Sequence, residues 1–222
     1  MKSLLEKLGI EVVVFDVDDT LYLERDYVKS GFHAVEMAYE LPGFESVAWS
    51  LFLEGVRGDT FERTLDRLGT DSSIEFVSRL VATYRSHLPT ISLQNDVVPV
   101  LMKLLERCIP IGIVTDGPLE SQTHKVEALE LRKFAEVIVF TDSYGEGYSK
   151  PHPRPFEEIQ AATGHSSSSH IYIADNPLKD FAGPSALGWR TLRVRRPFSL
   201  HVDVTTPEYV DFESANLDNC WT

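Results

Sequence analysis

The segment VVVFDVDDT (Val12–Thr20) decides the fold expected for this chain. It begins with a short, uninterrupted apolar run that is rich in β-branched side chains, and acidic residues end the run abruptly. Such a run is typical of a strand in a parallel sheet that is covered on both faces. The segment therefore predicts a central parallel strand whose carboxyl end carries a cluster of carboxylates.

Similar apolar runs follow later in the chain, at Ile109–Val114, Val137–Phe140, Ile171–Ala174 and Thr191–Val194. The segments between them have the length of helices, and they are Leu119–Leu129, Pro155–Thr163 and Leu178–Leu187. Strands that alternate with helices are characteristic of α/β proteins. We therefore predict an α/β fold with a doubly wound, Rossmann-like parallel sheet.

The interval from about Tyr22 to Asn95 interrupts this alternation. It contains no comparable strand run, and its apolar side chains recur with helical spacing, for example at Phe61, Leu65 and Leu68. We predict that residues 21–91 form a helical domain inserted into a core of residues 1–20 and 92–222. The tail from Pro197 onward shows no regular pattern.

Polar residues follow four of the predicted strands. They are Asp16 and Asp18 after the first, Thr115, Asp116 and Gly117 after the second, Lys150 after the third, and Asp175 with Asp180 after the fourth. In open α/β sheets, ligands bind outside the carboxyl ends of the strands. The pattern therefore predicts one site that combines carboxylates, a hydroxyl and a lysine.

The chain of 222 residues has 34 acidic against 21 basic side chains, a formal net charge of −13. A nucleic acid is not expected as a partner, because binding its backbone requires clustered Lys and Arg. A small phosphate can still bind to an acidic protein if a metal and a few local cations reverse the field. The two cysteines, Cys108 and Cys220, match no metal-ligand spacing and are interpreted as reduced thiols.

The N-terminal residues 1–7 are too charged for a signal peptide, and no apolar run approaches the ~20 residues of a membrane helix. We therefore expect a soluble, cytoplasmic protein without a membrane partner. A monomer and a homodimer both remain open.

Four segments resemble, in the expected order, the four motifs of the haloacid dehalogenase-like hydrolase superfamily. They are Phe15–Leu21, Val114–Gly117, Lys150–Phe156 and Ala174–Asp180. The helical insert lies where this family carries its C1-type cap. Two positions depart from the usual pattern, because Ala174 stands where glycine is frequent and Lys179 where asparagine is common.

The resemblance implies a role for each polar residue. Asp16 would be the nucleophile that forms an aspartyl-phosphate, and Asp18 the general acid and base. The phosphoryl oxygens would be held by Thr115, by the backbone of Asp116 and Gly117, and by Lys150.

The resemblance also implies a Mg²⁺ cofactor. Asp16, Asp175 and the carbonyl of Asp18 would be its ligands, with Asp180 anchoring coordinated water. A site made only of oxygen ligands is the kind that Mg²⁺ prefers.

The expected activity is the hydrolysis of a small phosphomonoester, such as a sugar phosphate or a nucleoside monophosphate. A dehalogenase is not expected, because members with that activity lack an aspartate at the position of Asp18. A phosphomutase, which shares the same motifs, and a catalytically silent binding protein on this fold are the alternatives.

Three other polar residues have a less specific sequence context. Arg57, flanked by two glycines, could contact a remote anion of the substrate, although an exposed charge on the insert is the plainer interpretation. His152, beside the third motif, is interpreted as a surface loop residue, and Asp19 as a residue that supports turn structure.

Overall fold

The computed structural model describes residues 4–218. Six parallel strands form one sheet in the order β3-β2-β1-β4-β5-β6. The strands are β1 (Val12–Phe15), β2 (Ile111–Thr115), β3 (Val137–Phe140), β4 (His170–Ala174), β5 (Arg190–Val194) and β6 (Phe212–Ser214). The predicted fold class, an α/β protein with a doubly wound parallel sheet, is confirmed.

Nine α-helices accompany the sheet within residues 4–218. They are α1 (Leu4–Leu8), α2 (Glu24–Tyr39), α3 (Phe44–Leu53), α4 (Thr60–Leu68), α5 (Ile74–Ser86), α6 (Val97–Glu106), α7 (Leu119–Ala128), α8 (Arg154–Thr163) and α9 (Ala182–Ala186). None of the described helices is long and apolar enough to cross a membrane.

Strand β1 lies between β2 and β4, as the VVVF run predicts, and all four of its residues are buried. Its alternating side chains enter two separate hydrophobic clusters. Val13 and Phe15 pack into the cluster that includes residues of α6 and α7, whereas Val12 and Val14 pack into the cluster that includes residues of α8. Because both faces are covered, β1 is held rigidly and Asp16, which follows it, has a fixed position.

Helices α2 to α5 surround a third hydrophobic cluster of their own, which includes Phe32, Phe44 and Leu65. Ser73 caps α5 by accepting a hydrogen bond from the backbone N–H of Phe76. All residues between β1 and α6 are described, and none of them lies in a strand. We call this unit, residues 24–86, the helical insert.

Three features outside the helical insert differ from the sequence-based expectation. Helix α9 begins at Ala182 rather than Leu178. The preceding turn is closed instead by Asn176, whose side chain accepts a hydrogen bond from the N–H of Leu178. Such local side-chain bonds compete with helix formation.

The tail is also more regular than expected, and α6 was not predicted as a helix. Strand β6 adds a sixth strand beside β5. Leu217 is buried in the core, and its N–H donates to Asp96 Oδ2 at 2.7 Å. The tail as far as residue 218 therefore belongs to the folded core. Cys220 lies outside the described residues.

Candidate active site

The carboxyl ends of β1, β2 and β4 meet at one edge of the sheet, where a cavity of about 270 Å³ opens. Five of the predicted site residues line it, namely Asp16, Asp18, Asp116, Gly117 and Asp175. The other three lie buried next to the cavity, namely Thr115, Lys150 and Asp180. Helices α2 and α5 of the helical insert contribute Glu24, Tyr27, Tyr84 and Arg85 to the opposite side.

Lys150 lies beneath the cavity and is completely buried. Its Nζ is 2.5 Å from Asp16 Oδ1 and 2.8 Å from Asp180 Oδ1, and it donates to the hydroxyl of Tyr172 at 3.1 Å. Burial lowers the pKa of Lys150, but the two carboxylates more than offset this and hold the pKa well above its ordinary value. Lys150 is therefore a permanent cation at the floor of the site.

The pKa of Asp16 is raised to about 7, chiefly by burial. Lys150 opposes this rise, and Asp180 adds to it. Burial, Asp180 and Asp16 together raise the pKa of Asp175 well above its ordinary value. One lysine does not compensate three buried carboxylates, so Asp16 and Asp175 hold a proton more tightly than free carboxyl groups do.

The same three carboxylates fit a divalent cation. One oxygen of each of Asp16, Asp175 and Asp180 lies within 4.8 Å of the other two. Asp175 Oδ2 is buried and has no hydrogen-bond partner among the described residues. Asp180 Oδ1 is close to Lys150 but likewise makes no well-directed hydrogen bond. Unpaired buried carboxylate oxygens are costly, and Mg²⁺ is a natural partner for an all-oxygen set.

Asp18 is held by three donors on the other side of Asp16. It accepts a hydrogen bond from the hydroxyl of Tyr22, one from Gln122 Nε2 at 3.0 Å and one from Lys125 Nζ at 2.7 Å. Burial alone would raise the pKa of Asp18, but the charge of Lys125 and these hydrogen bonds hold it below its ordinary value. Asp18 is therefore a carboxylate at neutral pH in this arrangement.

Nothing in the sequence pattern singled out Lys125, although only 3% of it is exposed. Its Nζ lies 4.2 Å from the ring centre of Tyr27, a residue of the helical insert. A lysine on a core helix usually extends into solvent, so its burial is visible only in three dimensions. Lys125 thereby links Asp18 of the core to α2 of the insert.

Thr115 is fully buried, and its hydroxyl donates to Gln122 Oε1 at 2.8 Å. Gln122 therefore connects Thr115 with Asp18. The nearby Gly117 has a φ of +121°, and a Cβ at this position would lie 2.9 Å from Gln122 Nε2. Both the backbone conformation and the close approach of Gln122 favour glycine here.

The carboxylate of Asp116 joins three of the motifs. It accepts hydrogen bonds from Lys179 Nζ at 2.9 Å, from Thr141 Oγ1 at 2.7 Å and from the backbone N–H of Lys150 at 3.1 Å. Burial opposes its ionisation, but Lys150 and Lys179 hold the pKa of Asp116 below its ordinary value. Lys179, which departs from the usual fourth motif, is thus paired with Asp116.

Arg57 lies outside the cavity that holds Asp16. Its Nη1 donates to the carbonyls of Phe52 at 2.8 Å and Val56 at 2.7 Å, and its guanidinium lies 3.9 Å from the ring centre of Phe52. It lines a second cavity of about 220 Å³, which shares Glu24 and Tyr84 with the first. The structure therefore does not bring Arg57 together with the other site residues.

His152 and Asp19 also do not line the cavity that holds Asp16. His152 borders a shallow surface depression, and its Nδ1 accepts a hydrogen bond from the backbone N–H of Arg154. The carboxylate of Asp19 accepts from the backbone N–H of Glu24 at 2.8 Å and of Leu200 at 2.7 Å. Asp19 therefore supports the turn after β1, as its position in the sequence suggests.

The tail contributes one residue that the sequence pattern did not indicate. His201 lines the cavity, and its Nε2 lies 2.9 Å from the side-chain nitrogen of Asn176. Buried Arg193 holds this segment in place by donating to the carbonyl of His201 at 2.7 Å.

Comparison with known proteins agrees with this geometry. The model of the haloacid dehalogenase-like hydrolase family matches residues 13–194. A glyceraldehyde 3-phosphate phosphatase from Methanopyrus kandleri is 29% identical, with 95% of this chain and 90% of that protein aligned. A ribulose-1,5-bisphosphate 5-phosphatase from Halopiger xanaduensis is 26% identical, with coverages of 81% and 82%.

The fold is also shared with solved structures. The crystal structure of a HAD phosphatase from Thermococcus onnurineus superposes with a TM-score of 0.60 at 18% identity, covering 94% of each chain. The family indicated by the four sequence motifs is thus confirmed. The chain belongs to the haloacid dehalogenase-like hydrolase family.

Proposed function

We propose that this protein is a Mg²⁺-dependent phosphatase that releases phosphate from a small phosphorylated sugar through an aspartyl-phosphate on Asp16. The chain is a hydrolase of phosphoric monoesters, as a member of a family in which its curated relatives are phosphatases. The observation that carries the finer proposal is the cluster of Asp16, Asp175 and Asp180, of which Asp16 and Asp180 also pair with the ammonium of Lys150.

In the first half-reaction, an oxygen of Asp16 attacks the phosphorus of the substrate. The bond from phosphorus to the ester oxygen breaks, and its electron pair leaves with the alcohol. Asp18 in its protonated form gives its proton to that oxygen, and Lys125, whose Nζ lies 2.7 Å from Asp18 Oδ1, stabilises the carboxylate that remains. The products are the free alcohol and phosphorylated Asp16.

In the second half-reaction, water attacks the phosphorus of the aspartyl-phosphate. Asp18, now a carboxylate, takes a proton from that water, and the bond between phosphorus and Asp16 breaks. Inorganic phosphate leaves and Asp16 is regenerated. The lowered pKa of Asp18 favours the carboxylate that this step needs.

A bound Mg²⁺ would be held by Asp16 and Asp175, with Asp180 beside it, and would reduce the repulsion between Asp16 and an anionic phosphate. Lys150 contributes a second positive charge directly beneath Asp16. Asp116 keeps Lys179 close to the same cavity. The cations around the phosphate position are therefore fixed before the substrate binds, which favours charge stabilisation in the transition state.

The dimensions of the cavity favour a short substrate. Its volume of about 270 Å³ falls below the ~300–1,000 Å³ of pockets that bind drug-sized ligands. The helical insert, which we propose acts as a cap, covers it with Tyr27 and Tyr84. A phosphorylated sugar of three to five carbons fits this space better than a nucleoside monophosphate. A relative named for glyceraldehyde 3-phosphate, a phosphorylated sugar of three carbons, supports the same class.

The test is phosphate release by the purified protein, with Mg²⁺, from a panel of phosphorylated sugars, nucleotides and short acids. We expect turnover of one or more sugar phosphates and none by Asp16→Asn. Product analysis distinguishes a phosphomutase, which would yield an isomerised sugar phosphate instead of free phosphate. Full activity in Asp16→Asn, or isomerisation without phosphate release, would contradict the proposal.

A further inference from the structure

Glu24 is an acidic residue of the helical insert that lines the same cavity as Asp16. It is the first residue of α2 and is partly buried. Among residues 4–218, no hydrogen bond to its carboxylate is found, whereas Asp16, Asp18 and Asp116 each accept at least one from a lysine. Glu24 is therefore a carboxylate in the cavity whose acceptor capacity remains available.

The position of Glu24 relative to the nucleophile is fixed. Its backbone N–H donates to Asp19 Oδ1, and the other oxygen of Asp19 accepts from the N–H of Leu200 in the tail. Asp19 thus ties the first turn of α2 to the loop that carries Asp16 and to the tail. An anchored backbone limits where the Glu24 carboxylate can reach in the cavity, which favours discrimination between substrates.

Among the described residues that line the cavity of Asp16, none is a cation paired with Glu24. The ammonium of Lys125 is already bound to Asp18, and Lys179 is bound to Asp116. Burial, with a further contribution from Asp18, raises the pKa of Glu24 to about 7. Arg85 is the other charged residue that the insert places on this cavity, and it is exposed to solvent, which screens its charge.

We propose that Glu24 is a specificity-determining residue that accepts a hydrogen bond from a hydroxyl on the substrate's carbon chain and disfavours substrates with a second anionic group. The substrate class is then a hydroxyl-bearing phosphomonoester with no other negative charge. A hydroxyl satisfies the unpaired acceptor, whereas a carboxylate or second phosphate meets a like charge in a partly desolvated site. This inference rests on the proposed phosphatase function.

The sharpest test uses two substrates that differ only at the end remote from the phosphate. Glyceraldehyde 3-phosphate carries an aldehyde where 3-phosphoglycerate carries a carboxylate. At pH 8, where Glu24 is mostly ionised because its pKa is about 7, we expect the wild-type protein with Mg²⁺ to favour the aldehyde in kcat/KM by at least about tenfold, the factor given by ~1.4 kcal/mol. Ribulose 1,5-bisphosphate, with its second phosphate, is expected to be disfavoured in the same way.

Glu24→Gln keeps the shape and the hydrogen-bonding capacity of the side chain but removes its charge. We expect this variant to lower the aldehyde-to-acid ratio at least about fivefold, mainly by raising kcat/KM for 3-phosphoglycerate. Asp26→Asn is the matched control, since Asp26 lies in the same first turn of α2 but is exposed and outside the cavity. Thermal unfolding establishes that both variants are folded.

A binding measurement separates this inference from the proposed chemistry. In the Asp16→Asn background, the change Glu24→Gln should tighten binding of 3-phosphoglycerate relative to glycerol 3-phosphate, with no turnover required. A wild-type preference for the acid, or the same ratio in Glu24→Gln as in wild type, would overturn the role of Glu24. Phosphate release that fails for every substrate would instead overturn the phosphatase proposal on which it rests.

Discussion

The floor and the wall of the active-site cavity come from different kinds of structure. The floor consists of Asp16, Lys150, Asp175 and Asp180, which follow strands of the buried sheet. The wall consists of Glu24, Tyr27, Tyr84 and Arg85 from the helical insert and His201 from the tail. On the floor, Lys150 is paired with Asp16 and Asp180, whereas among the described residues Glu24 and Arg85 on the wall have acceptor or donor groups available for a substrate.

This difference implies that the floor residues carry out the chemical step, whereas the wall residues determine which substrates are preferred. Substitutions on the floor should lower kcat/KM equally for every substrate, because the floor acts only on the phosphoryl group that all of them share. Changes to the wall should alter the preference among substrates and leave the chemistry in place. The following predictions test this separation, from the largest expected effect to the smallest.

Lys150→Met should have the largest effect on stability and on turnover together. It leaves Asp16 and Asp180 as buried carboxylates without their cation, and breaking such a pair costs ~3–5 kcal/mol. We expect kcat/KM to fall at least ~100-fold for all substrates. Chemical denaturation and steady-state kinetics measure the two effects.

The matched control for stability is Lys179→Met. The pair between Lys179 and Asp116 is partly exposed, with 39% of the lysine side chain accessible, so its loss should cost only ~0–1 kcal/mol. Equal losses of stability in the two variants would show that the buried cluster is not the special feature of the floor.

Mg²⁺ should stabilise the protein more at pH 8 than at pH 5. The pKa of Asp16 rises from ~3.9 in the unfolded chain to about 7 in the folded protein. Stability from this group is therefore present below pH ~4 and is lost as the pH rises through 7. Mg²⁺ competes with the proton, so its effect on Tm should grow over this range.

Thermal unfolding with and without Mg²⁺ at the two pH values measures this dependence. Asp175→Asn, which removes a charged oxygen of the cluster, should abolish most of the Mg²⁺ effect. If Mg²⁺ shifted Tm equally at both pH values, or as much in Asp175→Asn as in wild type, the metal would not bind at this cluster.

Lys125→Met should lower kcat by ~10–100-fold and change its pH dependence. Without the ammonium, the pKa of Asp18 rises, so the acidic limb of the kcat profile should move to higher pH. Lys133→Met is a suitable control, because Lys133 is exposed and does not line the cavity. An unchanged pH profile in Lys125→Met would remove Lys125 from the acid–base machinery.

Arg57→Ala should have the smallest effect, with kcat/KM within about threefold of wild type for all sugar phosphates. The guanidinium binds backbone carbonyls and stacks on Phe52 rather than facing Asp16. A selective loss of more than ~10-fold for one substrate would instead support the contact with a remote anion that the sequence suggests.

The floor was predictable from the sequence for a physical reason. Uninterrupted apolar runs identify buried parallel strands, and residues that follow such strands must meet at one edge of the sheet. Asp16, Asp175 and Asp180 were placed in this way, and the structure brings them together. The family and the fold class are confirmed, whereas the domain boundaries, the individual residue roles and a cytoplasmic location stay predictions.

The wall was less predictable because its residues carry no pattern of their own. Glu24 and Lys125 lie on helices where a charged residue usually faces solvent, and only the packing of the insert on the core turns them inward. The sequence of the tail shows no strand pattern because β6 has only three residues, and two of them are polar. Its role depends on pairing with β5, a contact between distant parts of the chain that local sequence does not encode.

The central claim, a covalent phosphoryl group on Asp16, has a direct test. Asp18→Asn should slow hydrolysis of the intermediate, so that acid quenching with a substrate labelled on phosphorus leaves label on the protein. Peptide mapping of the quenched protein should locate the phosphate on Asp16, and the double variant Asp16→Asn/Asp18→Asn should carry none. Label on another residue, or equal labelling of the double variant, would contradict the account.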